Sequence, residues 1–80
     1  MRLTYKQFRQ VMNLSLNIPP KSIKKSSSLY NDLHIADWEL DLLANHVERA
    51  FLISVNDQEW HSNQTVNDLV KTIESRMAKA

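Results

Sequence analysis

Residues 37–51, DWELDLLANHVERAF, decide the fold of this chain. In a helix that turns about 100° per residue, its apolar side chains fall on one face, namely Leu40, Leu43, Ala44, Val47 and Phe51. Asp37 is a suitable N-cap, and the acidic residues that follow it suit the positive end of a helix dipole. The stretch therefore predicts an amphipathic helix with a buried stripe.

Two large apolar side chains of this helix lie outside that stripe. Trp38 and Leu42 lie roughly 160° from Leu40 on either side and one turn from each other, beside Asn45 and Arg49. Because tryptophan is enriched at the energetic centres of protein interfaces, we interpret this outward face as a surface for a protein partner. The alternative is that the preceding loop covers Trp38 as an edge of the core.

A second helix is predicted before this one. Thr4 and Gln7 have the spacing of a capping box, with Leu3 and Phe8 placed for a hydrophobic staple. The pair Pro19-Pro20 must end the helix, because proline disfavours helical geometry in the residue before it. A long connection over residues 17–31 follows, and we expect it to be held on the domain by its lone apolar residues, Ile18, Ile23 and Leu29.

Two more helices complete the predicted fold. A short helix or turn covers about residues 57–61, with Trp60 as its anchor. Thr65, with Asp68 at capping-box distance, opens the last helix. Its expected buried stripe is Val66, Leu69, Val70, Ile73 and Met77. Residues 1–80 are thus predicted to form a single all-α domain, a four-helix bundle with three longer helices, one short helix and a long first loop.

The composition excludes several kinds of site. The 80 residues contain no cysteine, so no disulfide framework or cysteine metal site is available. They contain no glycine, which excludes glycine-rich phosphate loops and leaves other residues to end the helices. No apolar run approaches the roughly 20 residues of a membrane span, and no signal peptide is recognisable, so we expect a cytoplasmic protein without a membrane partner.

The charges divide along the chain. Residues 1–31 contain six basic residues and no acidic one, whereas residues 32–61 contain seven acidic residues and one basic residue. This asymmetry favours two faces for two kinds of contact, or attraction between the two segments within the fold. The cluster Lys21, Lys24 and Lys25 allows a nucleic-acid-binding domain as an alternative, although the acidic segment would repel a phosphate backbone.

The titratable residues do not predict catalysis or a metal centre. His34, His46 and His61 lack the spacing of metal ligands. Asp37 near His34 is the only pair of catalytic residue types, and helix capping explains Asp37 better. We therefore expect no metal and no enzymatic activity.

The order of these features resembles the acyl carrier protein family over nearly the whole chain. The matching positions follow the order of the family pattern and are Leu16-Asn17-Ile18, Ile23, residues 29–33 (LYNDL), Phe51, Val55, residues 57–59 (DQE) and Thr65-Val66. In that family, the motif D-S-L opens the second helix, and its serine carries phosphopantetheine. The corresponding residues here are Ala36-Asp37-Trp38.

The resemblance implies that Asp37 occupies the position of the modified serine. A carboxylate has no hydroxyl to attack the phosphoanhydride of coenzyme A, so we expect no 4'-phosphopantetheine. Ser26 to Ser28 lie in the preceding loop and Ser54 lies past the second helix, so we expect none of them at the start of that helix.

The resemblance also implies a docking face, because family members bind partner enzymes through the second helix. The residues on matching positions or on that face are Trp38, Glu39, Asp41, Leu42, Asn45, Glu48 and Arg49. The predicted function is a monomeric, non-catalytic interaction module that docks on a carrier-recognising enzyme as a regulator, scaffold or decoy. One alternative is a genuine acyl carrier of fatty-acid or polyketide metabolism modified by unusual chemistry, and another is the nucleic-acid-binding domain.

Overall fold

The computed structural model describes residues 2–79, with side chains described for residues 4–78. This part of the chain contains four α-helices and one short 3-10 turn at Pro20–Ser22. The helices are α1 (Arg2–Leu16), α2 (Asp37–Phe51), α3 (Asp57–His61) and α4 (Val66–Lys79). The described residues form no strand, only an isolated antiparallel bridge between Ser28 and Thr65. The predicted all-α fold, with three longer helices and one short helix, is confirmed.

The start of α1 corrects one prediction. The helix is already formed at Arg2, so Thr4 lies inside it and is not its N-cap. Thr4 is buried, which places it on the core side of the helix instead of at a solvent-facing terminus. The predicted staple with Phe8 involves Leu3, whose side chain lies outside the described ones.

The apolar stripes of the helices meet in one core. Helix α1 contacts α2 and α4, and α3 lies against both α2 and α4. The largest fully buried side chains come from all four helices and the first loop, and they are Trp60, Phe8, Met12, Leu29, Leu40, Leu43, Leu69, Ile73, Val47 and Val66. Phe51 is only half-buried at the margin of this core. Met77, predicted as buried, is 42% exposed because it lies one turn beyond Ile73, the last buried residue of α4 among the described side chains.

The first loop is held on the bundle by its apolar residues, as predicted. Ile23 and Leu29 are buried, and Ile18 is half-buried. The backbone of the loop also reaches the start of α4. Leu29 N–H donates to the Gln64 carbonyl at 2.9 Å, and the Ser27 carbonyl accepts from Val66 N–H at 3.1 Å. The loop thus satisfies backbone groups that a helix start leaves without partners.

The start of α4 is a capping box, as predicted. Asp68 N–H donates to the Thr65 hydroxyl, and the Asp68 carboxylate accepts from Thr65 N–H, both at 3.2 Å. Gln64 N–H also donates to this carboxylate at 3.2 Å. The hydrogen bond from Gln64 is the largest effect on the pKa of Asp68, and it lowers that pKa below its ordinary value. Desolvation raises the pKa by less, and the hydrogen bonds from Thr65 and the charge of Lys71 lower it further.

Among the described residues, three adopt the left-handed backbone conformation that glycine usually provides. They are Asn17 (φ 63°), His34 (φ 54°) and Leu52 (φ 56°). Leu52 ends α2 and donates its N–H to the Glu48 carbonyl, and its side chain is 85% exposed. In a chain without glycine, these positions carry a steric cost, which at Asn17 and Leu52 accompanies the end of a helix.

Candidate functional site

The site is built on the first turn of α2. Ala36 is the N-cap of this helix, with extended backbone angles, and Asp37 is its first helical residue. The Glu39 carboxylate closes the turn by accepting the Ala36 N–H at 2.9 Å. The prediction that Asp37 is the N-cap is therefore wrong by one position, because Ala36 is the N-cap. Among the described residues, Asp37 has no hydrogen-bond or ion-pair partner, and it is exposed at the positive end of the helix dipole.

Trp38 points into solvent from the next position. Its side chain is 67% exposed, so the first loop does not cover it. Leu42, one turn further along, is half-buried, which makes the apolar patch smaller than a fully outward pair would be. Asn45 and Arg49 are exposed, as predicted for the outer face of α2. The structure thus brings four predicted docking residues to one exposed side of the helix.

The three acidic residues predicted for docking all have partners within the protein. Besides Glu39, which closes the first turn, Glu48 accepts the Val55 N–H at 2.9 Å and fixes the chain after α2. Asp41 is exposed and lies 2.6 Å from His61 Nε2 of α3. A charge reversal at Glu39 or Glu48 would therefore disturb the helix ends, whereas Asp41 is available to a partner on its open side.

Helix α3 is fixed beside this face by its own contacts. Trp60 is fully buried and donates its indole N–H to the Leu40 carbonyl of α2 at 2.9 Å. Glu59 pairs with Arg76 of α4 at 2.6 Å. His61, one residue beyond Trp60, is thereby placed beside Asp41. Sequence reasoning missed His61 as part of this surface, because 20 residues separate the pair and no spacing rule connects them.

No serine lies at the start of α2, because residues 29–53 contain none. Ser27 is buried in the first loop, where its hydroxyl accepts from Lys24 N–H at 3.0 Å. Ser28 belongs to the bridge with Thr65, and Ser54 follows the end of α2. The exposed first turn of α2 thus presents the Asp37 carboxylate and no serine hydroxyl.

Each of the three histidines has a different place in the fold. His34 lies in the loop before α2, His46 Nδ1 lies 3.0 Å from the Leu42 carbonyl, and His61 pairs with Asp41. Within the described part of the chain, no group of three or more histidine, aspartate or glutamate residues is arranged to hold a metal ion. None of the described helices is long and apolar enough to cross a membrane.

Known proteins identify the family. No protein-family model matches the chain. An acyl carrier protein of Chlamydia muridarum is 30% identical over 61 residues, which cover 76% of this chain and 79% of that protein. The chain belongs to the acyl carrier protein family. An acyl carrier protein of Wolinella succinogenes is 28% identical over 71 residues, 89% of this chain and 93% of that protein. The resemblance seen in the sequence is confirmed, and this acyl carrier protein family member is a carrier-related protein.

Proposed function

We propose that this chain is a non-catalytic member of the acyl carrier protein family that holds no phosphopantetheine and docks on a carrier-recognising enzyme. In this role it acts as a regulator, scaffold or decoy in the cytoplasm. The partner is a protein, and the domain acts as a monomer.

The observation that carries the proposal is Asp37. It is the first residue of α2 and is exposed, and the resemblance drawn from the sequence gives it the position of the family's serine. Transfer of phosphopantetheine needs a hydroxyl oxygen that attacks the phosphoanhydride of coenzyme A and loses its proton. The Asp37 carboxylate has no such proton and would form an unstable acyl phosphate. Its negative charge also stands near the place where the phosphodiester of a loaded carrier would lie.

The docking surface is the outer face of α2, which consists of Asp37, Trp38, Asp41, Leu42, Asn45 and Arg49. Trp38 offers the largest exposed apolar surface on it, and a buried tryptophan is a frequent hot spot of protein interfaces. Asp37 and Asp41 place negative charge on both sides of Trp38 along the helix. A complementary partner offers an apolar pocket bordered by basic residues, where the charges speed association and the indole slows dissociation.

Family membership also supports a second candidate, a genuine acyl carrier whose cargo is attached by another chemistry. The two candidates differ in what the folded protein carries. A carrier must gain mass on a defined side chain, whereas an interaction module stays unmodified while it binds.

Intact-mass spectrometry tests the proposal. The chain is incubated with coenzyme A and a broad-range phosphopantetheinyl transferase, with an active acyl carrier protein as the positive control. We expect the wild-type mass to stay unchanged. The variant Asp37→Ser restores the hydroxyl, and its modification would support the alignment of residue 37 with the family serine.

A second sample, purified from the organism that expresses the protein, separates the two candidates. An unchanged mass supports the interaction module. Addition of one phosphopantetheine to the wild type, or an acyl group on the native protein, would instead assign it as a carrier.

A further inference from the structure

Two positive charges lie against one aromatic ring where α1 meets the first loop. The guanidinium carbon of Arg9 is 5.0 Å from the centre of the Tyr5 ring, and Lys25 Nζ is 5.3 Å from it. The Tyr5 hydroxyl donates to the Ile23 carbonyl at 3.1 Å, which fixes the ring against the loop. The Tyr5 ring therefore brings together two cations from different segments of the chain. Their like charges repel each other at this separation.

The hydrogen bonding of Arg9 is incomplete. One terminal nitrogen, Nη1, donates to the Pro20 carbonyl over 3.4 Å, whereas the Nε–H is buried and has no acceptor among the described residues. Buried donors in folded proteins almost always have a partner, so this one requires an explanation. Nothing in the first 31 residues can supply a carboxylate, since that segment contains no acidic residue. Within the described part of the chain, Arg9 and Lys25 also form no ion pair.

Three more basic residues adjoin this pair along the chain, and all three are exposed. Lys6 precedes Arg9 by one helical turn, Lys21 follows the proline that accepts from Arg9, and Lys24 precedes Lys25. Their charges add to the positive potential around Arg9 and raise the local concentration of anions.

We propose that Arg9 and Lys25 bind the phosphate group of a small phosphorylated ligand. A rotation of the half-buried Arg9 side chain that uncovers its Nε edge lets Nε and Nη2 donate two parallel hydrogen bonds to two oxygens of one phosphate, which supplies the acceptor that Nε lacks. Lys25 contributes a compact charge to a third oxygen. This site belongs to α1 and the first loop, so it is separate from the outer face of α2 and does not depend on the function proposed for it.

A small ligand fits this site better than a nucleic acid. Tyr5 has cations close to its ring and is half-buried, so it offers no open face on which a base could stack. The domain measures 31 × 25 × 20 Å, and residues 32–61 carry seven acidic residues within that volume. An extended polyanion that leaves the basic cluster would meet these charges, whereas one or two phosphate groups would not.

Nuclear magnetic resonance titration with inorganic pyrophosphate tests the site. The ionic strength is kept constant with potassium chloride, and the Arg9 Nε–H resonance is followed. We expect a saturable shift of that resonance and of the backbone amides around Lys25. Arg9→Lys keeps the charge but removes the Nε donor, and it should weaken binding by about tenfold or more, as the loss of a charge-assisted hydrogen bond predicts. Lys25→Gln should also weaken binding.

Arg49→Gln is the matched control, because it removes an equal charge from an exposed position on α2. It should leave the affinity for pyrophosphate unchanged. Parallel titrations with ribose 5-phosphate and inorganic phosphate distinguish the sources of the phosphate group, since tighter binding of ribose 5-phosphate indicates an organic ligand. The proposal is overturned if pyrophosphate causes no saturable shift or if Arg49→Gln weakens binding equally. It is also overturned if a single-stranded oligonucleotide binds at this site while pyrophosphate does not.

Discussion

The two tryptophans of this chain permit a direct test of how α2 is oriented. Trp60 is fully buried and donates to the Leu40 carbonyl, whereas Trp38 is 67% exposed. Replacing a buried tryptophan by alanine costs about 3–5 kcal/mol. Since one third of Trp38 is shielded from solvent, the same substitution there should cost about 1–2 kcal/mol at most. A domain of this size has a total free energy of unfolding of roughly 4–12 kcal/mol, so Trp60→Ala removes a large share of it.

Equilibrium unfolding in urea, followed by circular dichroism at 222 nm, measures both variants without relying on tryptophan fluorescence. If Trp60→Ala is unfolded in buffer, Trp60→Phe provides a milder variant that removes the hydrogen bond and keeps an aromatic ring. We expect Trp38→Ala to unfold near the wild-type midpoint and both Trp60 variants to unfold well below it. Equal losses at the two positions would refute the assignment of Trp38 to the solvent side of α2, and the proposed docking surface would be lost with it.

Two further predictions concern stability. Leu52→Gly should raise the free energy of unfolding by about 0.5–1 kcal/mol, because glycine relieves the left-handed strain at the end of α2 while the exposed side chain contributes little packing. Urea unfolding checks this, and an equal gain in Leu52→Ala would contradict the explanation by strain. Asp68→Asn should lower the melting temperature above about pH 5 and have a diminishing effect as the pH falls below about 3, because a carboxyl group with a lowered folded-state pKa stabilises only when it is ionised. Melting curves across this range check it, and a pH-independent difference would contradict it.

Much of the fold could be predicted from the sequence because local signals were strong. The apolar spacing of residues 37–51 gave the bounds of α2, and the pair Thr65 and Asp68 marked the start of α4. The same reasoning failed at Thr4, where a capping pattern occurs inside a helix. A capping box describes residue types at a spacing, and it does not reveal that the threonine is buried.

The position of the candidate site could be predicted from the sequence, but the contacts of its charged side chains could not. Helical periodicity placed Trp38 on the outer face, and the structure agrees. Helical periodicity could not show that the carboxylates of Glu39 and Glu48 accept hydrogen bonds from backbone N–H groups. Nor could it show that His61 lies beside Asp41. These contacts depend on how the chain turns after α2 and on where α3 is anchored, which are properties of the tertiary fold.

Equilibrium binding to carrier-recognising enzymes tests the central claim most directly. The wild-type chain, Trp38→Ala and Leu14→Ala are titrated against a phosphopantetheinyl transferase and a ketosynthase by surface plasmon resonance. Leu14 is a suitable control, since it is 82% exposed and belongs to α1, outside the proposed docking surface. We expect saturable binding of the unmodified chain to at least one enzyme, weakened about 30-fold by Trp38→Ala, as for an interface hot spot, and unchanged by Leu14→Ala. Absence of saturable binding to both enzymes, or equal weakening by the two variants, would contradict the account.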